Sequence, residues 1–130
     1  MTSIRLVNQQ ALIFLHSESL AEHGGAEGIR DEGLLESALD RPLNLYNYEQ
    51  ETDIAKLAAA YGFGIVRNHP FVDGNKRVGF LTVGLFLALN GYALEVSQLE
   101  ATQTMLALAA GEISENELSQ WLKIHIQSKN

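Results

Sequence analysis

The sequence predicts an all-α protein of about six helices packed around a central buried helix. Three observations carry that expectation. Apolar side chains recur at intervals of three and four through successive stretches of the chain. Stop and start signals (Gly24-Gly25, Pro42, Pro70, Asn90-Gly91, Ser114) divide those stretches into helix-sized pieces. Repeats, low-complexity runs and linkers are absent, so the 130 residues read as one domain, 1–130, long enough to bury a core of its own.

The first helix is expected from about Ile4 to His23, carrying Leu6, Ala11, Leu12, Leu15 and Leu20, and ending at Gly24-Gly25. His16 and His23 have no partner at metal-ligand spacing and read as solvated or packing residues. Asp31 then caps a short helix with Leu34, Leu35, Ala38 and Leu39, closed by Pro42. Between Pro42 and Glu51 periodicity fails and the composition turns aromatic and polar, which predicts a loop. Its tyrosines, Tyr46 and Tyr48, either form a binding surface or fold back on the core.

The third helix spans about Asp53 to Asn68, with Ile54, Leu57, Ala58, Tyr61 and Ile65 as its buried stripe. The fourth, Asn75 to Asn90, presents Val78, Leu81, Leu85 and Leu89 on one face and is apolar nearly all round, which marks it as the central buried helix. Tyr92 to Val96 is expected to be briefly extended. Two more helices follow, about Ser97 to Ala110 and Ser114 to Ser128, with Ser114 and Glu117 forming a capping box. Trp121 is expected in the core and His125 at the surface.

Composition narrows the functional classes. The chain has no cysteine, which removes disulfides, zinc–thiolate sites and cysteine nucleophiles. A net charge of −7 argues against nucleic acid as a direct partner, because phosphate-backbone binding needs a basic face. Three of the nine Lys and Arg residues nevertheless fall between Arg67 and Arg77, a clustering that suits a small anion. The apolar run Ala11 to Leu15 is too short for a signal-peptide core and Val78 to Leu89 too short to span a bilayer, so no membrane role and a cytoplasmic location are expected.

Chemistry concentrates in one loop, His69-Pro70-Phe71-Val72-Asp73-Gly74-Asn75-Lys76-Arg77. Pro70 stops the third helix and drives His69 out of the right-handed helical region. The loop runs into a helix N-terminus, where unpaired backbone N–H groups and the positive dipole end can hold an anion. Gly74 lets the backbone turn, and Lys76 and Arg77 add positive charge. Asp73 beside a phosphate site is a natural ligand for Mg²⁺, which takes only one or two protein carboxylates. His69 can accept a proton near neutral pH. Arg67 serves either as a helix-end cation or as a phosphate contact. Taken singly, these residues would also make an ordinary helix stop, turn and N-cap.

Taken together, this loop resembles the Fic superfamily signature, His-x-Phe-x-Asp/Glu-Gly-Asn-Gly/Lys-Arg. Lys76, together with Phe80 where a second arginine stands in other members, resembles the death-on-curing (Doc) toxin branch. The likeness extends to Gly24-Gly25, Gly28-Ile29-Arg30-Asp31, Gly33 to Leu39, Arg41-Pro42, Asn90-Gly91 and Gly111 to Ser114.

It implies a single-domain Fic/Doc-type bundle with a short flap before the motif helix, and transfer of part of ATP to a protein hydroxyl. On that resemblance His69 is the catalytic base and Asp73 holds Mg²⁺. Gly74, Asn75, Lys76, Arg77 and Arg67 bind the nucleotide phosphates. The flap Leu43, Asn44, Leu45, Tyr46, Asn47 and Tyr48 docks the target as an added strand. The Doc branch implies transfer of the γ-phosphoryl group to elongation factor Tu and restraint by a helical segment of a cognate antitoxin. Such outside restraint agrees with the absence of the family's self-inhibiting run, Ser/Thr-x-x-x-Glu-Gly/Asn. Pro70 and Gly74 match the AMP-transferring members instead, so AMP transfer stands as the alternative, beside a catalytically idle nucleotide- or antitoxin-binding module.

Overall fold

A computed structural model describes residues 3–129. In chain order its elements are α1 (Gln9–His23), α2 (Glu32–Asn47), α3 (Ile54–Asn68), α4 (Asn75–Leu89), β1 (Tyr92–Leu94), α5 (Gln98–Ala109), α6 (Glu115–His125) and β2 (Ile126–Ser128). Six helices and one two-stranded sheet make this an all-α fold.

The starts follow from capping side chains. Asn8, Asp31, Asp53, Ser97 and Ser114 each adopt an extended conformation and accept from a backbone N–H of the first turn. The Ser114–Glu117 capping box forms as expected. Asn8 is why α1 begins at Gln9 and not near Ile4. The residues before it are tied elsewhere: Arg5 exchanges two backbone hydrogen bonds with the Asn90 side chain, and the Val7 N–H donates to the Tyr61 hydroxyl. Burial raises the Tyr61 hydroxyl to a pKa of about 12, with the hydrogen bond to Val7 opposing.

Asp53 also reaches Lys123 of α6 at 3.2 Å. Partial burial pushes its carboxyl up, but the Lys123 ammonium and the Ala55 and Lys56 N–H groups outweigh that and hold it below the ordinary aspartate range. Its contribution is therefore complete above the unfolded value of 3.8 and fades as pH falls through the folded one. Asp53→Ala is expected to destabilise the protein by about 1 kcal/mol at neutral pH. The gap from wild type should narrow in acid melts below the ordinary carboxylate range.

Several other expectations are corrected. Pro42 does not close α2, which continues to Asn47 with Pro42 buried inside it. The missing N–H leaves the Ala38 carbonyl without its usual helical donor, and α3 is packed close against that turn. A Cβ at Gly64 would lie 3.2 Å from the Ala38 Cα and 3.3 Å from its oxygen, so glycine permits this approach without crowding the turn. The side-by-side packing of α2 and α3 sustains the helix through the proline.

The expected loop is consequently helical over residues 43–47, with Tyr48 as the C-cap. Leu45 and Tyr46 pack on the core while Tyr48 is 82% exposed, so the two tyrosines divide between the two roles.

The central helix is α3, not α4. Ten of the fifteen residues of α3 are buried, against seven of fifteen in α4, and α3 packs on α2, α4, α5 and α6. Leu81 and Leu89, expected on the buried face of α4, are exposed; Thr82, Val83, Phe86 and Leu87 face inward with Val78.

Finally, α6 ends at His125, because 126–128 pairs antiparallel with β1, Leu94 opposite Ile126 and Tyr92 opposite Ser128. That pairing satisfies backbone groups which a longer α6 would leave open on β1. Trp121 is half-buried: it packs on the main core and donates its Nε1–H to Glu100 at 2.8 Å. His125 is half-buried rather than at the surface, its ring against Trp121 and its Nε2 3.1 Å from Glu100.

The core divides in two. The larger cluster joins α3 to α4, α5 and α6. The smaller one, Leu12, Leu35, Ala38, Ile65, Phe71 and Val78, lies directly beneath the 69–75 loop. Phe71 is 1% exposed and anchors the loop in it.

Candidate functional site

The loop from His69 to Gly74 joins the C-terminus of α3 to the N-terminus of α4, and each end is held by backbone conformation. His69 caps α3 in the left-handed region, φ 53, ψ 55, and its N–H donates to the Ile65 carbonyl. That conformation is open to a residue that Pro70 excludes from the right-handed helix. The His69 side chain is exposed.

Arg30 fixes the backbone around it. Its Nε donates to the His69 carbonyl at 2.7 Å and its terminal nitrogen to the Asn68 carbonyl at 2.9 Å, so one planar guanidinium satisfies two carbonyls orphaned at the helix end. The strip around Arg30 lies along the loop: Ile29 bridges Phe71, the Arg30 and Asp31 N–H groups donate to the Pro70 carbonyl, and the Val72 N–H donates to the Gly28 carbonyl. Arg30 is thus committed to the loop backbone.

Asn75 clips the loop from inside. It is 3% exposed, its Oδ1 accepts from the Phe71 N–H at 2.9 Å, and its Nδ2 donates to the Phe71 carbonyl at 2.9 Å. The Asn75 side chain is therefore consumed internally, and only its backbone remains for a ligand. The sequence offered a signal for this role, since an amide four residues after a buried aromatic across a Gly turn can close such a ring.

Asp73 stands at the mouth of α4 with its carboxylate exposed. Oδ2 accepts from the Ala26 N–H at 3.2 Å and Oδ1 from the Gly74 N–H at 2.8 Å. The first of these needs glycine at position 25, where φ is +124° and a Cβ would lie 2.9 Å from Oδ2. The Ala26 N–H chiefly, then the Gly74 N–H, hold the Asp73 carboxyl below the ordinary aspartate range; slight desolvation opposes them, and Lys76 and Arg77 assist. The shift favours the anionic form of this group, which is ionised at neutral pH.

Gly74, in the left-handed region at φ 78, precedes α4 and provides no side-chain cap. The first N–H groups of α4 are thus open to a ligand, flanked by the exposed side chains of Lys76 and Arg77. A base, a fixed carboxylate and an uncapped helix N-terminus are brought together within seven residues.

Other residues singled out in the sequence fall elsewhere. The Arg67 guanidinium lies over the Phe63 ring, 5.4 Å from its centroid, and beside Gly111 of the α5–α6 turn. Leu43 to Tyr48 lie at the end of α2, helical through Asn47, so the expected docking of a target there as an added strand is not open to them. A groove of about 560 Å³ between α2 and α3 is lined by Asn44, Leu45 and Glu49 and by Asn68, the last residue of α3.

His16 was undervalued by sequence reasoning. It is 5% exposed, stacks on Phe71 with ring centroids 3.8 Å apart, and its Nε2 lies 2.8 Å from the Asp73 carbonyl. Its place one turn after Leu12, on the inward face of α1, was the available signal.

No group of three or more acidic or histidine side chains able to hold a metal occurs among the described residues. Asp73 fits a divalent cation in a different way. Each of its oxygens accepts a single N–H and keeps a lone pair, and one carboxylate completed by water and phosphate oxygens is the coordination Mg²⁺ favours. No helix is long and apolar enough to cross a membrane among the described residues.

The family model described as "Fic/DOC family" matches residues 6–87. A protein named "Toxin Doc" from Mycolicibacterium smegmatis (strain ATCC 700084 / mc(2)155) is 39% identical to this chain over 72 residues, which cover 55% of each of the two proteins. The chain thus spans about half the length of the curated relative it matches. The matched region of the family model includes the whole of the His69 loop, and the chain belongs to the Fic/DOC family.

Proposed function

We propose that this member of the Fic/DOC family is a Doc-like toxin that transfers the γ-phosphoryl group of ATP to a hydroxyl of a translation factor, elongation factor Tu, with a cognate antitoxin as its restraint. The observation that carries this reading is one short loop in which exposed His69, the C-cap of α3, is followed by Asp73 and then by the uncapped N-terminus of α4. The likeness to a protein named Toxin Doc supports the toxin and antitoxin part.

The chemistry follows from positions. His69 takes the proton of the target hydroxyl as its oxygen bonds to the γ-phosphorus. The bond from that phosphorus to the β–γ bridging oxygen breaks, and ADP leaves. The backbone N–H groups at the start of α4, with Lys76 and Arg77, stabilise the charge on the phosphates. Asp73 would hold Mg²⁺, which when bound neutralises phosphate charge and polarises the transferring group. The groove between α2 and α3, lined by Asn44, Leu45 and Glu49 and by Asn68, is where we assign target docking. Exposed apolar side chains such as Phe14 on α1 would suit contact with a helical antitoxin segment.

Phosphoryl transfer is favoured over AMP transfer by position 80. Phe80 is partly buried against the main core and offers nothing to a phosphate. Lys76 adds charge where a conventionally placed α-phosphate would sit.

The test is the intact mass of purified elongation factor Tu after incubation with this protein, ATP and Mg²⁺. Gain of one phosphate is the expected result. Gain of one AMP would select the alternative activity, and an unchanged mass would reject this target. The Arg30 clamp gives a further expectation. Arg30→Lys cannot fork across two carbonyls, so kcat should fall about tenfold while the KM for ATP is unchanged, because misplacing a catalytic group slows the step without altering phosphate binding.

A further inference from the structure

We propose that His16 on α1 is a positioning residue for the cation-binding carboxylate, acting through the Asp73–Gly74 peptide. The inference rests on the nucleotide reading of the loop given above.

A carbonyl oxygen only accepts, so the His16 Nε2 that lies 2.8 Å from the Asp73 oxygen carries a proton and donates it. The ring cannot shift to lose that bond. It is buried, and its face lies on Phe71 at 3.8 Å with only 10° between the planes. Phe71 is itself pinned by both ends of the Asn75 amide. His16 therefore presents one N–H from a rigid platform formed by α1 and the small core.

What it grips is decisive. The Asp73 carbonyl and the Gly74 N–H belong to one planar peptide unit and point in opposite directions. Fixing the carbonyl toward α1 aims the N–H outward, and that N–H donates to Asp73 Oδ1 at 2.8 Å. Gly74 at φ 78 would otherwise leave this peptide free to turn over, since glycine tolerates either orientation. A Cβ at Gly74 would lie 3.7 Å from the same His16 nitrogen, so the ring edge also underlies the turn into α4. One buried imidazole thus orients the carboxylate and the entrance to the N–H groups of α4 together, from an element 57 residues earlier in the chain.

The test separates the donor from the ring. His16→Phe keeps the stack and removes the N–H; His16→Gln loses the stack but keeps an amide N–H within reach of the carbonyl. Two readouts are taken on the full chain: hydrogen exchange at the Gly74 and Ala26 amides, and the affinity for Mn²⁺ with ATP, followed by the loss of the free Mn²⁺ resonance signal. His16→Phe should speed exchange at both amides and weaken Mn²⁺–ATP binding, each by about tenfold, the scale of one lost hydrogen bond. His16→Gln should restore both toward wild type even if its melting temperature is the lower of the two. Unchanged values in His16→Phe, or a glutamine variant no better than phenylalanine, would overturn the proposal. Wild-type protein with no Mn²⁺–ATP affinity, but with exchange still dividing by donor, would leave the positioning role standing and remove the nucleotide reading.

Discussion

His69→Ala is expected to slow transfer to the target by about 10²–10⁴-fold, the usual contribution of a positioned general base. The loss should lie in kcat, with ATP binding nearly intact, because the phosphate-binding groups proposed here belong to the start of α4. Stability should change little, since the side chain is exposed and the left-handed backbone at 69 is held by Arg30 and Pro70 through main-chain atoms. Single-turnover kinetics with labelled ATP, beside a nucleotide-binding titration and a thermal melt, resolve the three quantities. Transfer at the wild-type rate in this variant would place the base elsewhere. A fall in melting temperature comparable to that of a core variant would mean that the activity loss reports folding.

Asn75→Leu is expected to have the largest effect on stability among substitutions in the loop. Leucine is close in volume but leaves the Phe71 N–H and carbonyl without their partners in a buried position. Two unpaired groups cost about 2–4 kcal/mol together. For a chain of this size that corresponds to a melting temperature lower by roughly 10 °C. A denaturant titration should show the midpoint falling at unchanged slope. Activity should fall as well at temperatures where the protein remains folded, because Phe71 also supports His16 and, through it, Asp73. A midpoint within error of wild type would mean that the strip at 28–31 holds the loop without the amide clip.

Helix existence was legible wherever a cap and a periodic apolar face agreed. Asp53 with Ile54 to Ile65, and Ser114 with Glu117, define their helix starts locally, and tertiary packing does not move them. The stop at Pro70 and the turn at Gly74 are equally local, because both depend on backbone geometry intrinsic to those residues. Local signals failed where a distant partner outweighed them. Pro42 reads as a terminator, yet the close approach of Gly64 to Ala38 keeps α2 helical past it. Residues 4–7 carry helical spacing but give their backbone hydrogen bonds to Asn90 and Tyr61, and Ile126 leaves α6 to pair with Leu94.

The same division runs through the candidate site. His69, Asp73, Gly74, Lys76 and Arg77 could be read from the sequence, because seven to nine contiguous residues, by changing from helix end to turn to helix start, bring a base, a carboxylate and open N–H groups together without help from the rest of the chain. The groups that hold this arrangement in place lie 39 and 57 residues away in the cases of Arg30 and His16. Arg67, close in sequence, is drawn to Phe63 and Gly111. By itself the sequence determined which chemistry-bearing residue types share the loop and how its backbone turns, since both depend on residue identity and local conformation. Only the tertiary structure decided which side chains of the loop stay exposed and which distant residues orient it, since hydrogen bonds and ring contacts between distant segments exist only once the helices have packed.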